Sequence, residues 1–475
     1  MTTTRREFLR KSASLAAAAA AFQVARLDLG AAAPQAAKSR PNVLVVFTDQ
    51  EREMVEDRLC MKLPNRERLE AQGVRFTRNF CVTPQCSPAR STLMTGLYPH
   101  QTGVMTNTDK AVLGKPLPTN LPCVGKVFAQ AGYRTGYFGK WHLGSARNGL
   151  DAFGFSGYQP GGDKKIPEQA REFFKKDDGR PWMLWLSFLN PHDIYQPQDY
   201  PQLQKIRPGV EAPRTWDKPP DPNSPIGQSQ ENARNAIKGD KKESLLTYRS
   251  FYAGLMEIID DQLGQILRSL EETKQNENTI ILYLADHGDM GGAHDLRFKG
   301  AFPYEEVLHI PLVIAWPGHL PQKETRLALA SQIDIIPTIC DLAGVQWPAP
   351  LPGQSLAPLI RDQKTKGRNC VYADYLLQTG KPEPYRLIRT EDYKLCEYLA
   401  GGTMLFDLKN DPGETNNLSG KPEAAAIEKD LRDRLMKWRQ ETNDPYLDPA
   451  KLKEALATRS GGKGKGKGKN ARVEE

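Results

Sequence analysis

Four short apolar runs recur along the chain, and each ends abruptly in polar residues. Asn42–Phe47 ends at Thr48-Asp49-Gln50, and Trp182–Phe188 ends at Asn190-Pro191-His192. Thr279–Leu284 ends at Asp286-His287-Gly288-Asp289, and Leu312–Trp316 ends at Pro317-Gly318. Runs without polar alternation mark strands buried on both faces, as in a parallel sheet. A further strand, Tyr133–Phe138, leads into Gly139-Lys140-Trp141-His142-Leu143-Gly144. Between the runs lie helical patterns. The clearest has apolar residues at 245, 248, 252, 255, 259, 263, 266 and 270, a 3.6-residue rhythm. Leu121–Ala131 and Gln332–Ala343 are two more. Strands alternating with helices predict an α/β fold with an open, mostly parallel sheet flanked by helices.

The texture changes after Trp316. Pro348-Ala349-Pro350-Leu351-Pro352-Gly353 reads as a break. Beyond it, Cys370–Tyr375, Arg386–Thr390, Tyr393–Tyr398 and Met404–Leu408 follow one another without intervening helices, and Glu423–Glu441 closes as a charged amphipathic helix. The expected organisation is a catalytic α/β body over 38–347, with a smaller α+β lobe over 354–450 containing an antiparallel sheet and packed against the body.

Open α/β sheets bind ligands at the carboxyl ends of their strands. Asp49, His192 and the pair Asp286/His287 each stand just past such an end. Turns use Asp and Asn routinely. Three strands ending in metal-type or acid/base-type residues nevertheless predict a shared site. Lys140 and His142 project to one side of an extended segment, a pairing that alone is more often a surface accident. His294-Asp295-Leu296-Arg297-Phe298-Lys299 lies in a Gly-rich loop between two strands, where loops serve the site. His100, His309 and His319 read as structural or exposed.

Cys86-Ser87-Pro88-Ala89-Arg90 precedes Ser91-Thr92-Leu93-Met94-Thr95-Gly96 and has the look of a helix start. Ser87 can cap it, Pro88 suits its first position, and Arg90 falls in its first turn. A helix N-terminus holds anions and lowers a thiol pKa. Two readings stand at this point: a nucleophile beside a tetrahedral-anion site, or a buried structural cysteine. The seven cysteines form no CxxC pair, and an odd count leaves at least one outside any disulfide scheme.

The 475 residues carry 39% apolar and 26% charged residues, which fits a soluble globular protein with a sizeable core. The net charge of +8 lies mostly at the ends: the first 33 residues carry +3, the segment from Gly461 another +3, leaving +2 for the body. A near-neutral body argues against nucleic-acid binding. Residues 1–33 contain Arg5-Arg6-Glu7-Phe8-Leu9, an alanine run and a small-residue end, the pattern of a twin-arginine signal peptide. That predicts a twin-arginine translocase as partner and a periplasmic, cell-surface or secreted destination. No run reaches about 18 apolar residues, so no stable membrane span is expected. The Gly/Lys tail over 459–475 cannot bury a core and should be disordered.

Together these residues closely resemble the type I, formylglycine-dependent sulfatases of the alkaline phosphatase superfamily. The resemblance covers Asp49, the Cys-x-Pro-x-Arg signature with its downstream Thr95-Gly96, and the segment Gly139–Gly144. It continues through Asp286-His287-Gly288, Lys299 with Tyr304-Glu305-Glu306, Leu405-Phe406-Asp407-Leu408, Asp411-Pro412-Gly413-Glu414 and Asn417-Leu418. It implies an alkaline phosphatase-like fold and a sulfuric ester hydrolase that removes O-sulfate from a carbohydrate. Cys86 would be oxidised to formylglycine by a maturase. Its hydrate would place two hydroxyls on one carbon, one to attack sulfur and one to expel sulfate. One divalent cation is implied, calcium first, with magnesium or manganese as alternatives. Its ligands would be Asp49, Gln50, modified Cys86, Asp286 and His287.

The same resemblance gives Arg90 the steadying of that hydrate and makes Lys140 and Lys299 the neutralisers of sulfate oxygens. His142 becomes the base that collapses the sulfated intermediate and His192 the acid for the leaving oxygen, a role Lys299 can share. Lys140, His192, Lys299 and Arg386 would contact substrate, with Arg389 and Tyr398 as further contacts. Two departures matter: many members pair two aspartates where this chain has Asp49-Gln50, and many have Asn in place of His287. Both occur among phosphodiester and phosphonate monoester hydrolases of the same fold, which form the alternative reading. A non-catalytic sulfoglycan-binding protein would need a lost nucleophile or ligand, and none is missing.

Overall fold

The strand β1 (Asn42–Asp49) is buried at every residue and divides two cores. Val43, Val45 and Phe47 face one, while Leu44 and Val46 face the other. That two-sided burial is why the run shows no polar alternation. A computed structural model describes residues 40–460, apart from 54, 59, 109–113, 177, 221–223, 225, 227–240 and 377–383. The signal-peptide region and the tail from Gly461 lie outside the described residues. Residues 459 and 460, expected in the disordered tail, instead end a helix, Pro449–Ser460.

Seven more strands join β1 in one sheet. They are β2 (Gly73–Phe76), β3 (Arg134–Gly139), β4 (Gly157–Gln159), β5 (Trp182–Pro191), β6 (Thr279–Ala285), β7 (Leu312–Ala315) and β8 (Glu324–Arg326). Their order is β4-β3-β5-β1-β6-β7-β2-β8. The five strands from β4 to β6 are mutually parallel, β7 is antiparallel to both β6 and β2, and β8 runs parallel to β2. The mostly parallel sheet is therefore present. Its short strands β2, β4 and β8 carry too few residues to show a period in sequence.

Helices cover both faces. On one, α1 (Cys86–Thr95), α2 (Val124–Gln130) and α5 (Ile335–Ala343) send Leu93, Val127 and Ile336 into the core around Phe47. On the other lie α3 (Ile166–Lys175) and the long α4 (Lys241–Glu272), whose Leu263, Ile266 and Leu270 pack against Leu44 and Val46. Each such side chain is worth about 1.5–3 kcal/mol of transfer free energy.

The C-terminal strands β9 (Cys370–Tyr375), β10 (Tyr385–Thr390), β11 (Tyr393–Tyr398) and β12 (Thr403–Asp407) form an antiparallel meander. One face shares a core with Tyr304, Val307 and Leu308, the segment that follows Lys299. The other is covered by Leu431, Leu435 and Trp438 of α6 (Ala425–Glu441). From Arg40 onward the chain is one compact unit, so the lobe is packed on the body as expected. All seven cysteines are free thiols.

Candidate active site

The neighbours β3, β5, β1 and β6 deliver their carboxyl ends side by side. Asp49 ends β1, Lys140 follows β3, His192 follows β5, and Asp286 and His287 follow β6. The register slips between Phe47 and Asp49, which sets Asp49 opposite Pro191 and so beside His192. Gly139 makes the exit of β3 possible. Its φ is 92°, and a Cβ there would lie 2.1 Å from the Ser187 carbonyl oxygen. Only glycine lets the chain turn out at this point to present Lys140.

Cys86 is the first residue of α1, behind Gln85 in extended conformation. The expected Ser87 cap is corrected here. The Ser87 hydroxyl donates to the His142 carbonyl at 2.6 Å, the N-cap residue Gln85 makes no side-chain capping bond, and the Asn107 side-chain oxygen takes the Ser87 N–H at 3.1 Å. The hydroxyl thus pins the Cys86 segment to the Lys140–His142 segment instead. Arg90 is buried and uses its planar fork fully. Nε donates to Asp286 Oδ2 at 3.0 Å and Nη2 to Asp49 Oδ2 at 2.9 Å. Nη1 donates to the Lys140 carbonyl and to Ser187 Oγ, each at 2.7 Å. One side chain therefore braces four neighbouring strands.

Asp49, Cys86, Asp286 and His287 are all buried, and their ligand-type atoms lie within 4.8 Å of one another. Cys86 Sγ is 3.2 Å from His287 Nε2 and 3.5 Å from Asp49 Oδ1. Lys299 Nζ donates to that sulfur at 2.6 Å and lies 3.6 Å from Asp49 Oδ1. Lys140 Nζ is 3.3 Å from Asp49 Oδ2. Burial alone would raise the Asp49 pKa, but Lys140, Lys299, His192 and Arg90 hold it well below the usual range. Burial lowers the His287 pKa, helped by Lys299, so the ring is neutral near pH 7. Its Nδ1 donates to the Gly288 carbonyl at 2.9 Å, so the Nε2 lone pair faces the cluster, where Lys299 Nζ lies 3.2 Å away. Two buried carboxylates, a neutral imidazole and a buried carbonyl oxygen of Gln50 that no donor among the described residues reaches suit a hard divalent cation.

The structure thus brings together Asp49, Gln50, Cys86, Arg90, Lys140, His192, Asp286, His287 and Lys299. His142 joins through its backbone, whose carbonyl also takes Thr108 Oγ1 at 3.2 Å. Burial and the nearby Lys299 and Lys140 ammonium groups push the His192 pKa well down. Sequence reasoning missed three supporting groups. Ser187 accepts Arg90, Asp163 takes the Leu189 and Asn190 N–H groups at 2.6 and 2.9 Å, and Asp289 bonds Gln50 Nε2 at 2.7 Å. Asp289 follows Asp286-His287-Gly288 directly, so that motif was the available signal. His294 is buried against Tyr304 and stays out of the cluster.

Arg386 is a structural cation, which corrects its expected contact with substrate. It is fully buried and forks onto Asp444, at 2.8 Å through Nε and 2.7 Å through Nη2. Asp444 also takes Arg439 Nε at 2.7 Å. Tyr398 and Arg389 are internal too, bonded to the Ala301 carbonyl and to Glu305. Asp444→Ala strands two buried guanidinium groups and should cost about 3–5 kcal/mol in urea unfolding. KM should stay unchanged; a raised KM at full stability would restore a substrate role for Arg386.

A cluster of this kind on a mostly parallel α/β sheet defines a hydrolase that handles a tetrahedral anion at a metal. The Sulfatase family model matches residues 41–345, and that for N-sulphoglucosamine sulphohydrolase, C-terminal, matches residues 292–441. The chain belongs to the sulfatase family and is a sulfuric ester hydrolase. It is 30% identical over 463 residues to a Delta 4,5-hexuronate-2-O-sulfatase of Bacteroides thetaiotaomicron, covering 88% of this chain and 93% of that protein. A solved 2-O GAG sulfatase superposes with a TM-score of 0.73 at 27% identity, covering 86% and 93% of the two chains. The phosphonate monoester hydrolase of Agrobacterium radiobacter shares the fold, with a TM-score of 0.70 at 24% identity over 85% and 96%.

Proposed function

We propose that the protein removes O-sulfate from a sulfated carbohydrate, using formylglycine made from Cys86 and one divalent cation, with calcium the best fit. The observation that carries this reading is the Cys86 sulfur inside the buried Asp49/Asp286/His287 cluster, with Lys299 Nζ 2.6 Å away. When present, the cation and the hydrated aldehyde supply an activated oxygen nucleophile and a Lewis acid for the sulfate oxygens. The protein's own groups do the rest. Lys140 and Lys299 neutralise the equatorial charge. Arg90 holds the two carboxylates and the Lys140 backbone in one plane of reference. Burial depresses the His192 pKa first and the Lys299 and Lys140 ammonium groups add to it; a bound sulfate ester offsets that second part and so favours a proton on the ring for the leaving oxygen. His142, tied through its carbonyl to Ser87, takes the proton that releases sulfate. The relatives' hexuronate and GAG substrates support a sugar, as does the Tyr195 ring, 38% exposed and 4.9 Å from His192.

Export by the twin-arginine translocase, supported by Arg5-Arg6-Glu7-Phe8-Leu9, sends the protein across the membrane already folded. The maturase must therefore act on Cys86 in the cytoplasm. No helix among the described residues is long and apolar enough to cross a membrane. Assay on sulfated mono- and oligosaccharides beside phosphodiesters and phosphonate monoesters tests the reaction class. Sulfate esters should give the higher kcat/KM, and the reverse order would favour the alternative. Exhaustive chelation should lower activity by about 10³-fold or more, since a metal contributes several kcal/mol to charge stabilisation. Calcium should restore it. Activity indifferent to chelation would rule out the site.

A further inference from the structure

Gln50 is held in an unusual conformation at the edge of the cluster. Its φ is 77°, a left-handed backbone that a non-glycine residue adopts only under constraint. Its N–H donates to Asp286 Oδ1 at 3.0 Å, and its carbonyl accepts from Tyr252 Oη at 3.0 Å. The side chain is fully buried. Nε2 donates to Asp289 Oδ2 at 2.7 Å and lies 3.4 Å from Tyr195 Oη. A carboxylate accepts only, so Asp289 dictates which end of the amide it meets. The other end, Oε1, is buried with no donor among the described residues. A buried carbonyl oxygen left in that state calls for a partner, and on a residue that follows Asp49 and bonds Asp286 through its backbone the natural one is a cation.

Asp289 is itself immobilised. Tyr248 Oη, from α4, reaches its Oδ1 and Oδ2 at 2.9 and 2.8 Å, and the Gly291 N–H reaches Oδ1 at 2.7 Å. We infer that Asp289, held by Tyr248, is a positioning residue that fixes the Gln50 amide so that its oxygen, not its NH₂ group, faces the metal. The inference rests on the metal site of the proposed function. It gives the buried Asp289 and the N-terminal half of α4 a task in cation binding.

The test is calcium titration of the full-length protein by calorimetry. In Asp289→Asn, the Gly291 N–H and Tyr248 hydroxyl keep an acceptor at the Oδ1 position. The new NH₂ group then falls opposite Gln50, the Gln50 amide turns over, and a donor meets the cation. Calcium affinity should fall about 10- to 100-fold, the usual cost of losing an outer-shell partner. Adding Gln50→Glu should reverse that loss, because one carboxylate oxygen accepts from the new NH₂ group while the other serves the cation. An added carboxylate strengthens cation binding by itself, so the double-mutant cycle is what discriminates: Gln50→Glu should raise affinity more in Asp289→Asn than in the wild type, where the new carboxylate meets that of Asp289, whereas a merely structural role gives equal gains. Tyr248→Phe should weaken binding in the same direction by less. Unchanged affinity in Asp289→Asn, or a double variant as weak as the single, would overturn the inference alone. A wild-type protein that binds no divalent cation would remove the metal site and the inference together.

Discussion

Cys86→Ser is expected to give a folded protein that no longer turns over, with kcat reduced on the order of 10⁴-fold or more, as when a nucleophile is removed. The substitution is close to isosteric at a buried first-turn position, so stability should hold. The chemistry is what changes. A single hydroxyl at position 86 can accept a sulfuryl group from the ester, releasing the alcohol. It has no second hydroxyl on the same carbon whose deprotonation would break the new bond. The variant should therefore accumulate a sulfated peptide in a stoichiometric amount, visible by mass spectrometry after incubation with substrate. Cys86→Ala should be inactive without that adduct. In the wild type expressed with a maturase, the Cys86 peptide should carry an aldehyde in place of its thiol. A fully active enzyme with an intact thiol would refute the mechanism.

Much of this site could be read before the fold was known, for a physical reason. Asp49, His192, Asp286 and His287 each follow a strand whose unbroken apolar run is visible locally, and parallel strands must end on the same side of their sheet. The long helix was legible for the same reason, since Leu255, Ile259, Leu263, Ile266 and Leu270 keep one rhythm. What stayed hidden depends on partners distant in sequence. Ser87 looked like a cap because its hydroxyl was free on paper, yet the acceptor it found is the His142 carbonyl, 55 residues on. Arg386 sat on a predicted strand with nothing nearby to balance it, and its partner Asp444 lies 58 residues away. Asp163 and Asp289 drew no reading of their own, because a carboxylate that orients another group has no sequence signature. The family resemblance supplied the roles of Lys140, His142 and Lys299, which spacing alone left as surface accidents or loop residues.

Arg90→Lys should be the most damaging conservative change in the molecule. The guanidinium makes four hydrogen bonds of 2.7–3.0 Å, to Asp286, Asp49, the Lys140 carbonyl and Ser187. Those groups belong to β1 and β5 and to the residues that directly follow β6 and β3, so one side chain ties four strands together. An ammonium is a point donor and cannot span them. Burial alone would lower the Arg90 pKa, but Asp286 and Asp49 raise it, so the charge is fixed at any accessible pH. Breaking a buried ion pair costs about 3–5 kcal/mol, and at about 1.36 kcal/mol per decade that corresponds to roughly 10²- to 10⁴-fold. The loss should divide between unfolding free energy and kcat, because the same bonds hold the fold and aim the two carboxylates proposed to hold the metal. Raising the calcium concentration should recover part of the activity and none of the geometry, leaving kcat depressed at saturation. A variant that unfolds more easily yet reaches wild-type kcat in excess calcium would show that Arg90 braces the sheet without shaping the site.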